Sequence, residues 1–121
     1  MRSTFGEILR DTVKVTPGAL GGALAAGDGE TVDYWTTLGE EEWHLLTAHF
    51  GILVNHVRRS LHTFHFGDIE FLHFGYEEMD LAVQLVEGDY YVILALKPPV
   101  LVGRARRQLR VAALQLRKEM L

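Results

Sequence analysis

Cysteine is absent from the 121 residues. That one absence removes disulfides, thiolate nucleophiles and cysteine metal sites together, and makes a cytoplasmic chain the default expectation. Serine occurs only as Ser3 and Ser60, neither in the strand-to-helix elbow that exposes a serine nucleophile. No apolar run approaches the roughly 20 residues that cross a bilayer. The start, Met1-Arg2-Ser3-Thr4, lacks the apolar stretch of a signal peptide. The glycines between Gly18 and Gly29 are followed by neither Lys-Ser/Thr nor a helix, so they do not form a phosphate loop. The expectation is a non-catalytic chain with no catalytic residue, no cofactor, no metal and no membrane span.

The residues present are those of an ordinary globular domain, 48% apolar and 23% charged, and one domain over residues 1–121 is expected. The net charge of −4 conceals a segregation. Residues 1–99 hold six Lys/Arg against fifteen Asp/Glu, whereas residues 100–121 hold six against one. A basic end on an acidic body suits an acidic partner or is a solvated helix face. No aromatics interleave with those arginines, which argues against nucleic acid.

The most informative stretch is Tyr90–Leu96, YYVILAL, unbroken in its apolar character, preceded by Glu87-Gly88-Asp89 and stopped by Lys97-Pro98-Pro99. A strand with one wet face alternates; this one does not, so it is expected to be covered on both faces. Met79, Leu81, Val83 and Leu85 alternate with Asp80, Ala82 and Gln84 and give its antiparallel neighbour. Upstream, Thr4 opens a short helix with Glu7 as a capping partner; Phe5, Ile8, Leu9, Thr12 and Val13 share a face, and Pro17-Gly18 ends it. Residues 19–26 (ALGGALAA) form a strand whose Gly21-Gly22 pair implies a close approach by a helix. Asp28-Gly29 turns it into a polar edge strand over residues 30–36.

Thr37 and Glu40 then read as the capping box of a long helix reaching about His62. Leu46, Phe50, Leu53, Val54, Val57 and Leu61 make one stripe, with Trp43 beside it. A second stripe runs through Leu45, His49, Ile52 and His56, flanked by Ala48 and Arg59. A surface helix needs one polar face, so two partly apolar faces imply that one meets another molecule; pairing with its own copy explains this, and deeper burial within the chain is the alternative. A strand follows at residues 69–75. The chain closes with a helix whose core stripe is Val102, Ala105, Leu109, Ala112, Ala113, Leu116 and Met120, with Arg104, Arg106, Arg107, Arg110, Arg117 and Lys118 around it. The sum is five antiparallel strands sandwiched by helices.

Three stretches in this order resemble the roadblock / dynein light chain family, which includes bacterial gliding-polarity GTPase regulators. They are Thr16-Pro17-Gly18-Ala19-Leu20 leading to Gly27-Asp28-Gly29, the turn Glu87-Gly88-Asp89 into Tyr90-Tyr91-Val92-Ile93-Leu94, and the helix start from Leu101 to Arg110. The resemblance implies an α/β (α+β) sandwich of profilin-like form: a five-stranded antiparallel sheet, the long helix on one face and both terminal helices on the other. It implies a homodimer, or a heterodimer with a related chain, joined through Leu45, His49, Ile52, His56, Arg59, Ile69 and Phe71. It also implies a scaffold or regulator of a Ras-like small GTPase, as in gliding motility and cell polarity, including GTPase-activating dimers. Arg104, Arg107 and Arg110 are the candidate partner surface, and Arg58 and Arg59 read as surface arginines rather than as groups inserted into a GTPase. The alternatives are a structural adaptor without a GTPase partner, as in dynein light chains, and a histidine-based sensor. Six histidines, His44, His49, His56, His62, His65 and His73, motivate the sensor: His62, His65 and His73 would bind zinc, or His49 and His56, facing their symmetry mates across a two-fold, would respond to pH between about 5.5 and 7.

Overall fold

In the computed structural model, which describes residues 4–121, the run Tyr90–Leu96 is the middle strand of a five-stranded sheet. Met1, Arg2 and Ser3, read above for the missing signal sequence and for Ser3, lie outside the described residues. In chain order the elements are α1 (Thr4–Val15), β1 (Ala19–Ala25), β2 (Thr31–Thr36), α2 (Glu40–Leu61), β3 (Phe71–Gly75), β4 (Asp80–Glu87), β5 (Tyr90–Leu96) and α3 (Val102–Met120). A 3-10 turn at His62–Phe64 follows α2. All pairings are antiparallel and the strand order is β2-β1-β5-β4-β3.

β5 is covered on both faces, as its unbroken apolar run requires. Val92, Leu94 and Leu96 enter one layer with Leu9 and Val13 of α1 and Leu109 and Leu116 of α3. Tyr91, Ile93 and Ala95 enter the other with Trp43, Phe50 and Val54 of α2. Each fully buried large apolar side chain contributes about 1.5–3 kcal/mol. β4 is buried on both faces over Asp80 to Val83, so it is more deeply set than its alternation implied.

The Gly21-Gly22 pair explains how helices reach both sides of β1. A Cβ on Gly21 would lie 2.9 Å from the Trp43 ring, whereas one on Gly22 would touch Val13 and Leu9 at ordinary distances of 3.5 and 3.6 Å. A second close approach joins α2 to the β1–β2 hairpin: a Cβ on Gly51 would meet Gly29 Cα at 2.7 Å.

Three expectations are corrected. Thr37 does not cap α2; Gly39 stands at the N-cap, and Thr37 Oγ1 instead donates to Leu20 O at 2.8 Å, tying the connection to β1. The line of α2 that enters the core is Trp43, Thr47, Phe50, Gly51 and Val54. Leu46 and Leu53 form its half-buried flank and Leu61, at the last residue of the helix, is exposed. The strand expected at residue 69 begins at Phe71, since Ile69 and Glu70 precede the ladder even though Leu85 N–H still bonds Glu70 O.

Candidate functional site

α2 seats on the sheet through one stripe, which leaves its second stripe outward. Leu45 is 63% exposed and Ile52 64%, and His49, His56, Arg59 and Ala48 are exposed with them. Leu45, His49, Ile52, His56 and Arg59 follow one another at steps of four and three residues, a single straight seam on a helix about 33 Å long. Glu40, Glu41 and Glu42 occupy its first turn and Arg58 and Arg59 its last, each where the helix dipole favours that sign. His49 Nδ1–H donates to Leu45 O at 2.8 Å, leaving Nε2 as the ring atom available to a partner. Tyr34 anchors the start of α2: its hydroxyl donates to Glu40 Oε1 at 3.0 Å, a bond that pushes the phenol above its ordinary value.

Exposed apolar surface continues past the helix. Leu61, Phe64 and Phe66 are exposed, and the two phenylalanine rings stack 5.8 Å apart. Sequence reasoning missed this pair because it sits in a loop, where no helical or strand period marks it. Beside the seam lies an apolar groove of about 400 Å³ between α2 and the β3–β4 turn, with Leu46, Phe50, Leu53, Tyr76 and Met79 in its walls.

A larger, polar cleft of about 670 Å³ opens at the C-terminal end of α2, lined by Arg58, Arg59, His62, His65, Asp68 and Asp89 among others. Its central cation is already engaged. Arg58 Nε and Nη2 reach the two carboxylate oxygens of Asp68 at 3.2 and 2.6 Å, and Asp89 lies 3.9 Å away. The Arg58 bond holds the Asp68 carboxyl below its ordinary range. Beneath, burial pushes the Tyr91 phenol up.

The expected interface residues are not all brought together. Ile69 lies half-buried at the cleft, within reach of the end of α2. The Phe71 ring is on the opposite side of the sheet: it packs against the α1–α3 layer and receives the Arg106 guanidinium 4.9 Å from its centroid. Strand alternation places Leu72 and Phe74 on the α2 side instead. The histidines are also dispersed. His62 and His65 line the cleft, whereas His73 Nε2 faces Asp80 Oδ1 at 3.6 Å on the β3–β4 ladder. Among the described residues, no group of three or more His, Asp or Glu is placed to hold a metal ion. Arg104, Arg107 and Arg110 are exposed on α3. No helix among the described residues is long and apolar enough to cross a membrane.

By sequence alone no family model matches the chain, and no characterised protein does either. Its backbone has clear likenesses. A roadblock/LC7 domain from Streptomyces avermitilis superposes with a TM-score of 0.87 at 13% identity, covering 98% of each chain. MglC from Myxococcus xanthus gives 0.71 at 25% identity over 93% of this chain and 96% of its own. The gliding protein MglB from Thermus thermophilus gives 0.81 at 14% identity, covering 98% of this chain and 92% of its own. Agreement over almost the full length at such low identity is agreement of the backbone path, and it establishes that the chain has the roadblock/LC7 fold.

Proposed function

We propose that the chain is a non-catalytic regulator or scaffold that pairs with itself through α2 and binds a Ras-like small GTPase in a cytoplasmic signalling or polarity system. The observation that carries this reading is the seam Leu45, His49, Ile52, His56 and Arg59, which leaves two large apolar side chains in water on a helix already seated on its sheet. The seam is self-complementary. An antiparallel pairing centred on Ile52 sets Leu45 against Arg59 and brings the acidic first turn of one copy toward the basic last turn of the other. Ile69 extends this surface. β3 is an edge strand, and Phe71 contributes to the pairing through its backbone rather than its ring. The likeness to MglC and to the gliding protein MglB favours the GTPase-linked form of the reading.

The two open sheet edges, β2 and β3, favour a second reading, a structural adaptor that grips its partners by strand addition. Affinity capture from native extract, with GDP and then with a non-hydrolysable GTP analogue, separates the two. A small GTPase retained in one nucleotide state is the expected result. Retention of other proteins with no GTPase in either state selects the adaptor.

A further inference from the structure

α3 carries a second outward seam that the fold does not use. Its core side is Ala105, Leu109, Ala112, Ala113 and Leu116. Half a turn away, where a surface helix is ordinarily polar, stand Val111 at 45% exposure and Leu114 at 58%, with Leu121, at 87%, just past the last helical residue. With Arg104, Arg107 and Lys118 they form one line, 104-107-111-114-118-121, in steps of three and four residues. That is the spacing by which one helix meets another along a narrow seam.

The charges along this line are uncommitted. Arg117 pairs with Glu87 at 2.5 Å, and Arg106 stacks on Phe71. Among the described residues Arg104, Arg107, Arg110 and Lys118 form no ion pair. Beside Leu114 a groove of about 450 Å³ has Leu85, Val86 and Ala113 in its walls, with two cations, Arg110 and Arg117, and one carboxylate, Glu70, also lining it.

We infer that this face of α3 docks an acidic amphipathic helix of a partner protein, with apolar residues on the seam and carboxylates on its flanks. Three features select this occupant. A second copy of α3 is disfavoured, because cations stand toward both ends of the helix, Arg104, Arg106, Arg107 and Arg110 at one and Arg117 and Lys118 at the other, so pairing in either direction opposes like charges. A bilayer is a poor match, because Arg107 and Lys118 sit within the seam itself and the apolar strip is one residue wide without aromatics. The cations are mostly arginines, whose planar forks suit bidentate carboxylates. The acidic body of residues 1–99 repels an acidic partner from elsewhere on the surface and steers it to α3. This surface is distinct from the α2 seam and does not rest on the GTPase reading.

The test uses a labelled synthetic helix of about 20 residues, long enough to span α3. It carries Leu at seam positions and Glu on the flanks, and its twin has Lys for Glu. Binding is followed by fluorescence anisotropy and by amide chemical shifts of the full chain. The expected result is binding of the Glu peptide alone, with shifts centred on Arg107, Val111, Leu114 and Lys118. Arg107→Glu with Lys118→Glu weakens it by about tenfold, as does Leu114→Asp. Thermal melts confirm that each variant is folded. Equal affinity for the two peptides, binding of neither, or shifts away from α3 overturns the proposal. Stronger sedimentation with phosphatidylserine vesicles than binding to the Glu peptide assigns the face to a membrane and overturns it equally.

Discussion

α2 and α3 lie on opposite faces of one sheet, and each leaves a narrow apolar seam outward at the same three-and-four spacing. Their chemistry differs. The α2 seam is Leu, His, Ile, His, Arg on a helix acidic at one end and basic at the other. The α3 seam is Arg, Arg, Val, Leu, Lys, with Leu121 just past its end, on a helix with cations toward both ends and Glu119 as its one carboxylate. A two-fold axis perpendicular to a helix reverses it against its copy. It therefore rewards the first pattern and penalises the second. The contrast teaches that exposed apolar surface alone does not identify a partner. The distribution of charge along the seam separates a self-pairing helix from one that takes a foreign partner.

The largest expected effect breaks the contrast at one residue on each side. Ile52→Asp buries an unpaired charge at the middle of the α2 pairing and should convert a dimer to a monomer, read as a halved mass by light scattering. Leu114→Asp, at a residue of similar exposure on α3, should leave the mass unchanged. If Ile52→Asp remains dimeric, the copies pair elsewhere. If Leu114→Asp becomes monomeric, the roles of the two seams are reversed.

A smaller effect tests how rigidly each seam is mounted. Gly51 of α2 has no room for a methyl group, since its Cβ would meet Gly29 Cα at 2.7 Å. Gly51→Ala should cost about 1–3 kcal/mol by urea unfolding, because backbone cannot yield as a flexible side chain can. Gly103, in the first turn of α3, would place its Cβ in open space. Gly103→Ala should stabilise by up to about 0.5–1 kcal/mol through reduced unfolded-state entropy. A neutral Gly51→Ala would mean that α2 can lift from the hairpin and that its seam is not held in place.

Much of this arrangement is legible in the sequence because it follows from period and punctuation. The run of β5 has no polar alternation, the Asp28-Gly29 turn fixes the first hairpin, and the two stripes of α2 are each visible at helical spacing. The misplaced features depend on tertiary choices that no local pattern carries. Thr37 is a good capping residue, yet the Leu20 carbonyl takes its hydroxyl. The resemblance puts Phe71 in the pairing surface without saying which way its ring points, because the face an odd or even position takes depends on where the ladder begins. The α3 seam was present in the spacing of Val111, Leu114 and Leu121. It was hidden because the arginines around it read as a solvated face.

The smallest effect concerns the contrast between Arg104 and Arg107 of α3, which form no ion pair among the described residues, and Arg58 at the end of α2, which is tied. Arg58 is held by Asp68, whose carboxyl the Arg58 bond lowers from an ordinary value of 3.8. A carboxyl depressed in the folded state contributes stability above its unfolded value, and that contribution is lost as the pH falls below about 4 and through the folded value. Asp68 is 46% exposed, so the pair supplies no more than about 0.2–1 kcal/mol at neutral pH. Asp68→Asn should therefore destabilise the protein slightly at pH 7 and by progressively less as acid removes the same interaction from the parent chain. Unfolding curves recorded across that window check the sign. No loss at any pH would show that the Asp68 side chain acts through its bond to the Ile69 N–H, which an amide oxygen can keep, and not through its charge. Arg58 would then be as free as Arg104 and Arg107, and the distinction between a tied and an open cationic helix end would fall.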